Sequence, residues 1–248
     1  MSVSIIAGSR LARPSAVIAS LMTDKERLAF GTREIDFCLD AAEIASEYTG
    51  LTLRDRARSI ALPVTGGTMS TLNARPAIDW GADAGGNVRA GYTLPPSYFI
   101  AAAMSIDTTT TTNQIAGSAD QAGDRLLFAV MNNASLRLDH GTDSGKSLSW
   151  SPAGITGTHV FWASFDADSG AAALGMDAVT AGATGTISVP HKAWASSSFF
   201  GGPGVAEIDG KGAIAVVTRR YLGGSAQQAT RAAILAWLAE AVGVSLAA

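Results

Sequence analysis

Three histidines, a few tryptophans set in polar surroundings and several aspartate-rich turns are the places where this chain could do chemistry. A serine nucleophile needs an imidazole base beside it, and the histidines are poorly set for that. His140 follows Asp139 and precedes Gly141 in turn-like composition, His159 opens an apolar run, His191 follows Pro190, and no G-x-S-x-G elbow occurs. No catalytic residue is assigned. Hard oxygen ligands for calcium are offered by Asp166, Asp168 and Asp177, or by the stretch Asp139 to Asp143, without EF-hand spacing. Asp and Ser making turns is the competing account. No metal site and no cofactor are assigned, with calcium left open. The single cysteine, Cys38, excludes an internal disulfide and a thiolate metal cluster.

Sugar recognition is the chemistry that the residue types favour. It needs an exposed aromatic face to stack on the C–H-rich face of a pyranose, with planar polar groups beside it. Trp80 with Asp79 and Asp83, Trp150 between Ser149 and Ser151, and Trp194 with His191 and Lys192 have that local composition. The candidate carbohydrate-binding set is therefore Trp80, Trp150, Trp194, Asp79 and His191. Trp162, inside an apolar run, and Trp237, at helical spacing, are read as core. Arg54, Arg56 and Arg58 would share one face of a strand, where they could meet an anionic polysaccharide or an acidic subunit.

The elements that must hold these residues follow from composition and period. The 248 residues are 47% hydrophobic and 16% charged with net charge −3, which excludes a disordered chain and argues against a nucleic-acid partner. No run of 18 apolar residues occurs and the N-terminus lacks a secretory pattern, so neither membrane insertion nor a signal peptide is expected. Residues 11 to 48 read as helical: Pro14 and Ser15 open one helix, and Asp36 or Asp40 caps a second that runs to Tyr48. A boundary is placed at residue 50. From Leu51 to Gly224, short apolar runs alternate with Gly, Ser, Thr, Asn and Asp clusters, the pattern of an antiparallel β-sandwich. The clearest strands are 98–106, 125–131, 135–139, 159–166, 172–176, 186–189 and 213–219. Turns are expected at Asn132-Asn133 and at Asp166 to Gly170, and the five threonines before Asn113 read as a solvated loop. The strand from His159 is apolar on both sides, which predicts a central position covered on both faces. Ser225 with Gln228 reads as a capping box opening a terminal helix over 225–242, with Gly243 as its C′ residue.

The order of the pieces carries a resemblance. A strand ending in Asp166, a D-x-D-S-G turn, a return strand with Leu174-Gly175-Met176-Asp177, a Phe199-Phe200-Gly201-Gly202 segment, a Gly212 to Val217 strand and an Arg220-Tyr221-Leu222 exit resemble the concanavalin A-like lectin/glucanase superfamily. More narrowly, the set looks like a laminin-G-like jelly-roll domain over residues 52 to 246. Glycosidases of that superfamily carry E-x-D-x-E or E-x-D-x-x-E on a strand. Glu34-Ile35-Asp36 and Glu207-Ile208-Asp209 both lack the third carboxylate, having Cys38 and Leu39, or Lys211 and Gly212, in its place.

Stand-alone domains of this kind, behind a short N-terminal segment, look like the spike, fibre or decoration proteins of tailed phages and gene transfer agents. The resemblance implies a non-enzymatic virion-surface protein, made in the bacterial cytoplasm, that binds host-surface polysaccharide. Residues 1–50 would attach it to other virion subunits, residues 51–248 would form the sandwich, and a homo-oligomer is expected. A structural virion subunit without glycan binding and a glycan hydrolase are the alternatives.

Overall fold

Alternation along Gly157–Phe165 sets the architecture: Phe161, Ala163 and Phe165 enter one apolar cluster and Val160 and Trp162 enter another. A strand that feeds two cores must lie in a middle layer. The computed structural model describes residues 22–43, 45–47, 50–57, 61–81, 86–118, 125–141, 145–188, 196–202 and 208–247. In chain order the elements are α1 (Asp24–Gly31), β1 (Ile35–Asp40), β2 (Ala45–Glu47), β3 (Gly50–Arg54), β4 (Ala61–Thr65), β5 (Thr68–Leu72), β6 (Arg75–Asp79), β7 (Asn87–Ala90), β8 (Tyr98–Ile106) and β9 (Asn113–Ser118). Then come β10 (Leu127–Val130), β11 (Leu136–Asp139), β12 (Ser147–Trp150), β13 (Gly157–Phe165), β14 (Ala171–Met176), β15 (Ala183–Thr186), β16 (Ser197–Phe199), β17 (Gly210–Thr218) and α2 (Gln228–Val242).

Among the described residues the strands form two antiparallel sheets. One has eight strands in the order β15-β14-β13-β8-β17-β6-β5, with β1 paired to β17 beyond β6; the other has nine in the order β12-β11-β10-β9-β16-β7-β4-β3-β2. Between them lie Phe37, Leu39, Tyr98, Ile100, Phe128, Leu138, Phe161, Phe165 and Phe199. The other face of the eight-stranded sheet, with Phe99, Val160, Trp162, Ile214 and Val216, is covered by Ile234, Leu235, Trp237, Leu238 and Val242 of α2. The molecule is thus a β-sandwich with a helical third layer, as the two-faced β13 and the terminal helix required. Among the described residues no helix is long and apolar enough to cross a membrane.

The expected turns form. Residues 132–133 join β10 to β11, with Ser135 bonded to the Asn133 side chain, and Gly170 closes the β13–β14 hairpin at φ +72°. Three local expectations are corrected. Residues 35–40 are not a helix start but β1, paired antiparallel with β17 through Phe37–Val217 and Leu39–Ala215. Asp40 caps only the three-residue 3-10 turn Ala41–Glu43, through the Ala42 amide. Its other carboxylate oxygen, buried, takes Arg56 at 2.9 Å and Arg75 at 2.6 Å. The expected strand 186–189 lies three residues earlier, as β15. The Ser225–Gln228 capping box does not form, because residues 225–227 make a 3-10 turn in which the Gln228 amide bonds the Ser225 carbonyl.

The described part of residues 1–50 packs into the sandwich. Thr23 caps α1 and bonds Glu240 of α2 at 2.8 Å, and Phe30 lies 5.3 Å from Trp237 between ring centres. The helix expected from Pro14 falls, Met22 excepted, outside the described residues.

Candidate functional site

The five sequence-chosen residues do not meet in one place. Trp80 is 3% exposed: its ring packs near Phe200, its Nε1 donates to the Thr65 carbonyl at 3.2 Å, and Gly67 and Gly86 leave the room it fills. It has no free face for a sugar. Trp150 is partly buried against the inter-sheet core, lying over Gly182 at the seam where β12 meets the β15 edge. Asp79 and that seam lie on opposite sides of the eight-stranded sheet, five strand spacings or roughly 24 Å apart. No single saccharide bridges that gap. His191 and Trp194 lie outside the described residues.

Other candidates resolve as structural parts. His140 is buried and bonded to the Tyr98 hydroxyl at 2.7 Å, and His159 pairs with Asp177 at 2.6 Å. Neither has a serine placed as nucleophile beside it in these bonds. Of the arginine triplet, Arg56 is drawn inward to Glu26, Asp40 and Glu43 and lies over Phe30, while the side chains of Arg54 and Arg58 lie outside the described residues. Glu34 pairs with Arg220. Asp166 is spent on its own turn, taking the Asp168 amide and the Ser169 hydroxyl, and Asp177 sits at the far end of β14, about 20 Å along the strand. Asp166 and Asp177 therefore do not converge, and of the second candidate stretch, Asp139 to Asp143, residues 142–144 lie outside the described residues.

What the fold does assemble is a polar rim at one end of three adjacent strands, β8, β17 and β6. Asp79 ends β6, Asp107 follows β8, and Asp209 precedes β17 while Lys211 lies in it. The Asp107 amide bonds the Asp209 carbonyl at 2.8 Å, and Lys211 Nζ lies 3.6 Å from Asp79 Oδ2. The threonine run closes over this end as a pinned loop: Thr108 Oγ1 donates to Asp209 Oδ2 at 2.7 Å and exchanges a bond with Thr110 at 3.0 Å. Fully buried Asn113 holds it, with Nδ2 on the Thr108 and Thr111 carbonyls and Oδ1 on the Asp209 amide.

Asp107 is exposed, yet its carboxyl is pushed above the ordinary carboxylate range. Partial desolvation contributes most, the charges of Asp209 and Asp79 add to it, and Lys211 opposes. The rim holds three carboxylates and one ammonium, which pairs with Asp79, so it has more hydrogen-bond acceptors than donors, with threonine hydroxyls alongside. That inventory suits a polyhydroxylated ligand, whose hydroxyls donate to carboxylates. Sequence reasoning found Asp79 for its neighbour Trp80 and missed Asp107, Asp209 and Lys211 as a group, because strand pairing alone unites them. A cleft of about 170 Å³ lies beside the β13–β14 hairpin, lined by Phe165, Ala167, Asp168, Ser169, Ile187 and Ser188.

Neither a protein-family model nor a curated protein matches the chain by sequence. Solved structures match its fold. Trypanosoma rangeli sialidase superposes with a TM-score of 0.59 at 11% identity over 84% of this chain and 33% of its own. The botulinum neurotoxin type G receptor binding domain gives 0.54 at 10% identity over 81% of this chain and 51% of its own. Botulinum neurotoxin type C, described as getting into cells through interaction with two ganglioside molecules, gives 0.57 at 11% identity over 86% and 53%. The chain thus spans about a third of the sialidase and about half of the toxin chains. The likeness is one of fold, an antiparallel β-sandwich.

Proposed function

We propose that this chain is a non-enzymatic, glycan-binding β-sandwich carried on a virion surface as a spike, tail-fibre or decoration subunit. The observation that carries the glycan reading is the rim, where Asp79, Asp107 and Asp209 come together at one sheet end, Lys211 pairs with Asp79, and Thr108 of the threonine loop bonds Asp209. A carboxylate accepts from two neighbouring hydroxyls at once, and the loop supplies donors for ring and glycosidic oxygens. The fold supports the reading, since a toxin with the same kind of sandwich interacts with gangliosides. Placement on a virion rests on the ordered motifs, the chain's size and its Gly/Ser/Thr-rich sheet. Several copies on one particle would raise the effective affinity by orders of magnitude over one weak contact.

A hydrolytic reading has one observation in its favour. Asp107, whose carboxyl is raised, lies beside Asp209, and a raised carboxyl next to a second carboxylate is an arrangement that glycosidases use for general acid catalysis. One experiment separates the accounts: the protein is titrated against bacterial surface polysaccharides, with release of reducing ends followed in the same samples. The lectin reading expects binding without release, lost in the Asp79→Asn, Asp209→Asn double variant and kept in Trp150→Ala. Release that disappears in Asp107→Asn establishes the hydrolase. Absence of binding by the folded oligomer leaves a structural subunit.

A further inference from the structure

His159, at the start of the buried part of β13, sits between two groups that only accept hydrogen bonds. Its Nδ1 lies 2.6 Å from Asp177 Oδ2 and its Nε2 lies 3.0 Å from the Thr156 carbonyl. A neutral imidazole carries one N–H and satisfies one of these; both are satisfied only when the ring is an imidazolium. The residue on its other side is Phe161, in edge contact at 5.5 Å between ring centres, and Met104 of β8 faces it across the sheet.

Asp177 connects this ring to the end of the chain. It takes a left-handed backbone, φ +50°, an unfavourable conformation for a non-glycine residue. That conformation is held from both sides. Oδ1 takes the Val160 amide at 2.7 Å, Oδ2 takes His159, and the Asp177 amide bonds the Val160 carbonyl at 3.0 Å. Its own carbonyl then receives the Ala247 amide at 2.8 Å. The Val179 amide donates to the Ala247 carbonyl at 3.2 Å, so that Ala178 and Ala247 form a parallel bridge. Arg231 of α2, which keeps its charge throughout, bonds the Val179 carbonyl at 2.6 Å from the other side. The charged groups facing the latch are therefore Asp177 on its own segment and Arg231 on the helix.

We propose that His159 and Asp177 form a proton-held latch on residues 244–247: the imidazolium fixes Asp177 in its left-handed turn and keeps the Ala247 strand docked, and loss of the ring proton undocks it. Closure binds a proton that the open state releases. Burial pulls the His159 pKa down, but the bonds to Asp177 and Thr156 together with the Asp177 charge outweigh it, so that the pKa is raised in the closed state. The docked state is then fully favoured below the ordinary histidine range and is lost as pH rises through the raised value.

Amide hydrogen exchange across pH 5 to 9, corrected for the intrinsic chemical rate, tests this. The expected result is that the opening constant at the Val179 and Ala247 amides rises about tenfold per pH unit, starting near pH 6.5. The rise should level off at the midpoint seen for the His159 ring by NMR, and the amide of Val216 in β17 should show no such slope. His159→Gln, which can donate but does not titrate, should abolish the slope, and Asp177→Asn should weaken docking at every pH. Exchange independent of pH at the two amides overturns the latch. So does a slope that persists in His159→Gln, or one that appears equally at Val216 and so reports global unfolding.

Discussion

Asn113 Oδ1 accepts the Asp209 amide at 2.6 Å, tying the base of the threonine loop to the strand that delivers Lys211 to the rim. Because the same side chain also donates to the Thr108 and Thr111 carbonyls, one buried amide pins the loop of residues 107–112 at both ends. Replacement by alanine strands one donor and two acceptors. Asn113→Ala is expected to cost about 2 kcal/mol, within the range for groups left unsatisfied in a protein interior. Chemical denaturation should show it as a lower midpoint with unchanged slope. Polysaccharide binding should fall further than the loss of folded protein accounts for.

The charges around Asp107 can be read directly by NMR of its carboxyl carbon. Asp209→Asn removes a neighbouring negative charge and should lower the Asp107 pKa toward the ordinary range, whereas Lys211→Met removes the opposing positive charge and should raise it. A midpoint unmoved by both would mean that desolvation alone sets it.

Gly175 faces the Trp162 indole so closely that a methyl group there would lie 2.2 Å from the ring. Trp162 cannot retreat, being fully buried, bonded through Nε1 to the Ala178 carbonyl at 2.8 Å, and stacked under Arg231. Gly175→Ala should therefore destabilise by about 1–3 kcal/mol, the usual effect of overpacking, and shift the tryptophan emission. A silent substitution would show that the contact between β14 and the indole is looser than described.

Arg56 is the common partner of Glu26 on α1, Asp40 at the end of β1 and Glu43, and its guanidinium also lies 5.2 Å from the Phe30 ring. Removing it leaves the buried Asp40 carboxylate with Arg75 as its remaining charged partner. Arg56→Ala should cost about 3 kcal/mol, as for breaking one side of a buried ion pair. Amides of α1 should lose protection before those of β8. Arg56→Lys should recover only part of the loss, since an ammonium cannot fork to several carboxylates.

The sequence read well where local pattern and long-range packing agree. The two-faced run at 159–166, the hairpins at 132–133 and 166–170, and the apolar stripe of α2 needed no knowledge of partners. Residues 35–40 misled because Asp36 and Asp40 resemble caps, while the signal that matters, Phe37 and Leu39 on one side of a strand and Cys38 on the other, becomes meaningful only once β17 lies alongside. Trp80 misled in the opposite sense. Its neighbours Asp79 and Gly81 suggest an exposed turn, but the cradle that buries it is built by Gly67 and Gly86 on other segments. The rim was invisible for the same reason: Asp107 and Asp209 are a hundred residues apart and are joined only by the pairing of β8 with β17.

The helical third layer has a consequence for biosynthesis. On the ribosome, β8, β13 and β17 can pair before α2 exists, yet Phe99, Val160, Trp162 and Val216 then present a bare apolar face until residue 242 has emerged. The nascent sheet therefore carries an association-prone apolar face until α2 has been made, and this layer completes its fold only after the segment that covers that face is available.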